Sequence, residues 1–85
     1  IFDLRIEFAG DETESDKTVI RGRFEDKSFI NLYLKDDLLK AYLAVNISPR
    51  EFIPLQRLIR RRVDLSPHLS HLQDRDYDLR SLVPR

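Results

Sequence analysis

Phe2, Leu4, Ile6 and Phe8 alternate with Asp3, Arg5, Glu7 and Ala9, which is the period of a strand with one covered face. The spacing predicts a first strand that buries its Phe and Ile side chains. Residues 11–17 (DETESDK) then form a polar, acidic connection with no apolar anchor. Alternation resumes over 18–25, with Ile20 and Phe24 on one side and Arg21 and Arg23 on the other. An apolar run over 29–34 follows the break Asp26-Lys27-Ser28. A slip of one residue would turn a whole strand over. Pairing Phe24 with Ile30, Gly22 with Leu32 and Ile20 with Leu34 gathers the large aliphatics on one side and leaves Arg21, Arg23 and Tyr33 on the other.

After Leu34 the period changes. Asp36 is a good N-cap residue, and Leu38, Leu39, Tyr42, Leu43 and Val45 recur at helical spacing, so 36–45 is predicted as an amphipathic helix. Asn46 suits a left-handed residue at its C-terminus. Ser48-Pro49-Arg50-Glu51 is a second start signal of the capping-box kind, but Pro54 removes a donor and crowds the preceding turn. The expectation is a short turn over 49–52 and a helix over 54–63, with Leu55, Leu58, Ile59 and Arg62 inward and Arg57, Arg60 and Arg61 outward. Ser66-Pro67 starts a last short helix over 67–74, with Leu69 and Leu72 inward, and the tail over 75–80 is charged. The fold class expected is α+β: a three-stranded antiparallel meander followed by two or three short helices packed on one sheet face. One small domain over 1–80 accounts for these elements. Leu82-Val83-Pro84-Arg85, with Ser81, reads as the remnant of a thrombin-cleaved tag, and the absence of methionine suggests a module of a longer protein.

Composition narrows the function. The 85 residues include no cysteine and only two glycines, which excludes a disulfide framework, a thiolate zinc site, a thiol nucleophile and the glycine-rich nucleotide loops. Fifteen basic residues balance fifteen acidic ones, so no chain-wide excess of positive charge invites nucleic acid. No apolar run approaches the ~20 residues of a membrane span. These features suggest a cytoplasmic or nuclear location.

Arg57, Arg60, Arg61 and Arg62 form the strongest candidate patch, able to hold a carboxylate-rich protein surface, while the acidic segments 11–16 and 74–78 could neutralise it instead. Phe29 and Tyr33 are candidate aromatic anchors. The reading that follows is a non-enzymatic protein-interaction or regulatory module that binds another protein or a second copy of itself, with no cofactor and no small-molecule substrate. The alternative is DNA binding. Residues 36–57 resemble a helix-turn-helix in apolar spacing, with Arg50 and Arg57 available to phosphate, although Tyr42 and Pro54 depart from the motif. Arg21 and Arg23 on an exposed sheet face would serve the same end. His68, His71 and Asp74 recur every three residues but lack a fourth ligand, and 74–78 imitate a calcium loop without its glycine. No metal site is assigned. No Ser, His and Asp share a spacing that suggests nucleophilic catalysis.

Overall fold

Two aspartates with left-handed backbone decide the architecture. The computed structural model describes residues 5–83, and within it Asp36 and Asp37 have φ of 53° and 62°. Two consecutive positive-φ residues make the two-residue turn whose twist matches a pair of antiparallel strands. Asp36 therefore does not cap a helix. The turn joins strand β3, Ser28–Lys35, to strand β4, Leu38–Val45, where the spacing predicted a helix. β4 is a central strand, paired on both edges, and its apolar residues point to both faces, so alternation is absent. A bulge at Lys40, where the register passes from Tyr33↔Ala41 to Leu34↔Leu39, further disguises the period. A short run that is apolar on both sides cannot be told from a buried helix by periodicity.

The sheet is four-stranded and antiparallel, in the order β1-β4-β3-β2, with β1 at Ile6–Gly10 and β2 at Lys17–Arg23. The expected three-stranded meander is thus corrected, while the α+β class stands. β1 pairs with β4, and Gly10 sits at the bulge with φ of 92°. A Cβ there would lie 2.1 Å from the Lys40 carbonyl oxygen, so no side chain fits. Asn46, at φ 55°, does adopt the left-handed conformation, but at the end of a strand. Its Oδ1 accepts from the Arg5 amide at 2.9 Å and its Nδ2 donates to the Lys27 carbonyl at 2.8 Å, tying β1 to the β2–β3 hairpin.

The β2–β3 register differs from the expected one by three residues: Val19 faces Leu32, Arg21 faces Ile30 and Arg23 closes on Ser28. An odd shift turns the strand over. The intervening loop takes up Phe24 in a 3₁₀ turn, Phe24–Asp26, in place of the strand position assigned to it. Arg21 consequently points inward, 3% exposed, and Ile20 outward, 40% exposed. β1 is likewise reversed, since Ile6 and Phe8 are exposed while Ala9 packs on the core. Phe2 and Leu4 lie outside the described residues. Alternation carries the period of a strand and not the identity of the covered face.

The inner face carries Ile30, Leu32, Leu34, Leu39 and Tyr42, each at most 2% exposed. Helix α1, Pro49–Arg61, lies on it. Gln56 Nε2 donates to the Tyr42 hydroxyl at 3.0 Å, and Phe52 stacks on the Tyr42 ring at 6.1 Å. The predicted break at Pro54 does not occur. Pro54 occupies the helix interior at a cost of about 3 kcal/mol. Leu55 and Leu58, fully buried one turn apart, each return about 1.5–3 kcal/mol by burial, so packing outweighs the local penalty. Ser48 makes no side-chain cap bond, and Arg62, expected inward, is the exposed left-handed C-cap at φ 52°. A 3₁₀ turn at Ser66–His68 leads into helix α2, Leu69–Gln73, which buries Leu72. The last 3₁₀ turn, Leu79–Leu82, buries Leu79 and Leu82 in the same core.

The hairpin assignment makes a testable demand on the 36–37 turn. A β-branched side chain in left-handed backbone costs about 1–2 kcal/mol. Asp36→Val should therefore lower the unfolding free energy by about that amount in urea denaturation, with Asp36→Gly near the parent. Asp37→Val should cost as much, because Asp37 is also left-handed, whereas an N-cap role for Asp36 would place residue 37 in a first helical turn that tolerates Val at a cost of about 0.5 kcal/mol.

Candidate functional site

The inward turn of Arg21 creates the most organised polar site among the described residues. Its guanidinium Nη1 donates to the carbonyls of His71 at 3.2 Å, Leu72 at 3.4 Å and Asp74. Nη2 donates to those of Arg75 at 3.1 Å and Tyr77. Carbonyls left exposed where α2 ends thus find a single planar donor. Burial pulls the Arg21 guanidinium below its ordinary value, and the nearby carboxylates of Glu51 and Asp74 oppose that shift. Nε of Arg21 has no hydrogen-bond partner.

Beside Arg21 lies a cavity of about 270 Å³ between the first turns of α1 and the C-terminal segment, walled by Arg50, Glu51, Arg75, Asp76, Asp78 and Arg80. Charges of both signs line it and largely answer one another. Arg75 donates to Ser28 Oγ at 2.8 Å and lies 3.7 Å from Glu51, and Arg80 pairs with Asp78 at 3.0 Å. Three surface carboxylates are held below the usual carboxylate range by hydrogen bonds to the folded chain. Thr13 does this to Asp11, Ser66 to Asp64 and Arg80 to Asp78.

The residues singled out from the sequence are not gathered into one place. Arg57, Arg60, Arg61 and Arg62 are all exposed at the C-terminal half of α1 and form none of the observed ion pairs among the described residues. Asp16 of the acidic loop lies 3.8 Å from Lys35 instead. Phe29 and Tyr33 stand on the outward sheet face opposite Val45 and Ala41, while α1 covers the inward face. The two halves of the expected contact surface are therefore separated by the sheet. Of the arginines offered to nucleic acid, Arg21 is buried, Arg23 is exposed 3.7 Å from Glu25, and Arg50 and Arg57 share one exposed side of α1. His71 stacks on Tyr77 at 4.2 Å and on His68 at 5.8 Å. Among the described residues no three His, Cys, Asp or Glu side chains converge, and no helix is long and apolar enough to cross a membrane.

What the sequence reading missed is the outward sheet face. Ile6, Phe8, Ile20, Leu43 and Val45 occupy outward register positions. Ile6, Phe8 and Ile20 are 58%, 45% and 40% exposed. The signal was present in the continuous apolar character of 41–45, which a strand solvated on one face would not show.

Residues 1–83 match the family described as Reductase C-terminal. The chain belongs to that family. Its fold is also similar to part of a ferredoxin reductase for the CYP199A2 system from Rhodopseudomonas palustris, at a TM-score of 0.75 and 20% identity over 96% of this chain. The chain spans 20% of the length of that structure.

Family membership overturns two expectations. The chain belongs to a family of reductase C-terminal domains, so the non-enzymatic regulatory module is set aside, and the DNA-binding alternative goes with it. The physical reason the alternative fails is visible in the fold. The first helix of the supposed helix-turn-helix is strand β4, and of the two sheet arginines offered to a groove Arg21 is spent on backbone carbonyls while Arg23 lies 3.7 Å from Glu25.

Two measurements probe the polar site. Replacing Arg21 with Met leaves buried carbonyls unpaired, each costing about 1–3 kcal/mol. Thermal unfolding should lose about 3 kcal/mol or more, with Arg21→Lys intermediate because an ammonium cannot fork. For pH, a carboxylate whose folded pKa is depressed stabilises the fold above its unfolded pKa of about 3.9, and that contribution is lost as pH falls through the folded value. Melting temperature should therefore be flat near neutrality and fall below about pH 4. The triple variant Asp11→Asn, Asp64→Asn, Asp78→Asn should start lower and fall less.

Proposed function

We propose that the chain is the C-terminal domain of an oxidoreductase that delivers electrons to a ferredoxin-type protein, and that it serves that enzyme as a structural module. The observation that supports this reading is the family match over residues 1–83, joined by the fold shared with a ferredoxin reductase over 96% of the chain. The physical layout agrees with a supporting role. The organised polar contacts, Arg21 on carbonyls and Asn46 on β1 and the hairpin, pin backbone to backbone. The outward sheet face exposes Ile6, Phe8 and Ile20 and is suited to packing. An intracellular location, in the cytoplasm, accompanies the proposal.

The test compares the whole reductase polypeptide with a version lacking residues 1–83. Electron delivery to a ferredoxin, followed by its visible absorbance, should fall by at least about tenfold, equivalent to about 1.4 kcal/mol. The melting temperature of the remainder should fall with it. Unchanged ferredoxin reduction and unchanged melting in the shortened protein would overturn the proposal.

A further inference from the structure

The outward face of the sheet has the chemistry of an interior. An antiparallel sheet with one solvated face alternates apolar-in and polar-out. Here the outward positions of the four strands are apolar or neutral up to the β3–β4 hairpin end, with Asn31 and Thr18 the polar insertions. Charge enters at that end, where Lys35 lies 3.8 Å from Asp16 and Lys40 occupies the bulge. Ile6 and Phe8 on one edge strand and Ile20 on the other are each at least 40% exposed. α1 and α2 pack on the opposite face; the loop with the 3₁₀ turn Glu12–Glu14 meets β4 at the hairpin end, and Ile6, Phe8 and Ile20 are left open.

The size of the face discriminates between occupants. Strands about 4.8 Å apart, with outward residues about 6.8 Å apart, give a face of about 19 by 20 Å, or roughly 400 Å². Two copies meeting through it would bury about 800 Å² in total, short of the roughly 1,200 Å² of a stable complex between separate proteins. A tethered neighbour needs less, because a covalent linker supplies an effective concentration in the millimolar range. Interfaces between domains of one chain begin at about 600 Å². The ferredoxin reductase that shares this fold extends over a chain of which the matched part is only 20%, so a tethered neighbour of ample size is at hand.

We infer that the outward sheet face, centred on Phe8, Ile20, Leu43 and Val45, is the surface on which the remaining domains of the same reductase polypeptide are permanently seated. The inference rests on the reading of the chain as a reductase domain. It assigns the face to contact in cis, and not to a second copy or to a transient redox partner.

Cysteine reactivity in the whole polypeptide tests this without recourse to activity, because residues 1–85 contain no cysteine of their own. Phe8→Cys, Ile20→Cys and the exposed control Ser70→Cys are treated with a maleimide, native and in urea, and labelling is measured on the peptide that carries each substitution. Partial exposure of the uncovered face would slow positions 8 and 20 only a few-fold. Seating should slow both by at least about tenfold relative to urea, independent of protein concentration, with position 70 reacting freely. Labelling of positions 8 and 20 as fast as position 70 would sink the inference. Protection that fades on dilution, with a doubled mass by light scattering, would replace the tethered neighbour by a second copy and equally overturn it. Protection in a polypeptide that reduces no ferredoxin would leave the seating intact and remove the functional reading alone.

Discussion

Which way β2 faces governs much of the molecule. With Val19 opposite Leu32 and Arg21 opposite Ile30, a guanidinium is buried at the point where α2 ends, and burying it is tolerable only if strong acceptors surround it. The C-terminal segment supplies them as backbone carbonyls from His71 to Tyr77. Arg21 thereby converts a stretch without periodicity into a fixed wall, and Leu79 and Leu82 follow it into the core. The same register sends Ile20 outward. One pairing choice thus produces both the internal latch and the external apolar face.

That face gives the domain its character. A small domain has little surface to spare, and a four-stranded sheet clad in helices on one side would ordinarily be solvated on the other. Here both sides are apolar, and several polar side chains hold backbone: Asn46 between β1 and the hairpin, Arg75 on the Ser28 carbonyl, Arg21 on the carbonyls at the end of α2. Such a division of labour suits a component of a larger enzyme. Its backbone is pinned by side chains, and its outward sheet face exposes Ile6, Phe8 and Ile20. Membership of the reductase C-terminal family is consistent with that division.

Much of the local structure was legible. The strands at β1, β2 and β3, the left-handed residue at Asn46 and the inward placing of Leu55, Leu58, Leu69 and Leu72 all carry short-range signals, whereas the start signal at Ser48-Pro49 was assigned to a short turn and in fact opens α1. β4 was not legible, because a central strand apolar on both faces shares its spacing with a buried helix, and because a pair of aspartates serves a hairpin turn as readily as a helix N-cap. The continuity of α1 through Pro54 was not legible either. It is decided by Leu55 and Leu58 meeting the sheet, a contact no local rule contains. Of the candidate site, the exposure of Arg57, Arg60 and Arg61 on one side of a helix followed from period, while their separation from Phe29 and Tyr33 depended on which face of the sheet α1 covers.

The sequence by itself determined that this is a small α+β domain without thiols or glycine-rich loops, and it determined the period of most elements, since those properties reside in residue types and their local spacing. Tertiary structure alone decided which face of each strand is covered, that residues 38–45 pair as a strand, and that Arg21 binds carbonyls some fifty residues away. Those outcomes rest on register and long-range packing. An odd shift in pairing reverses every side chain of a strand without altering a single local preference.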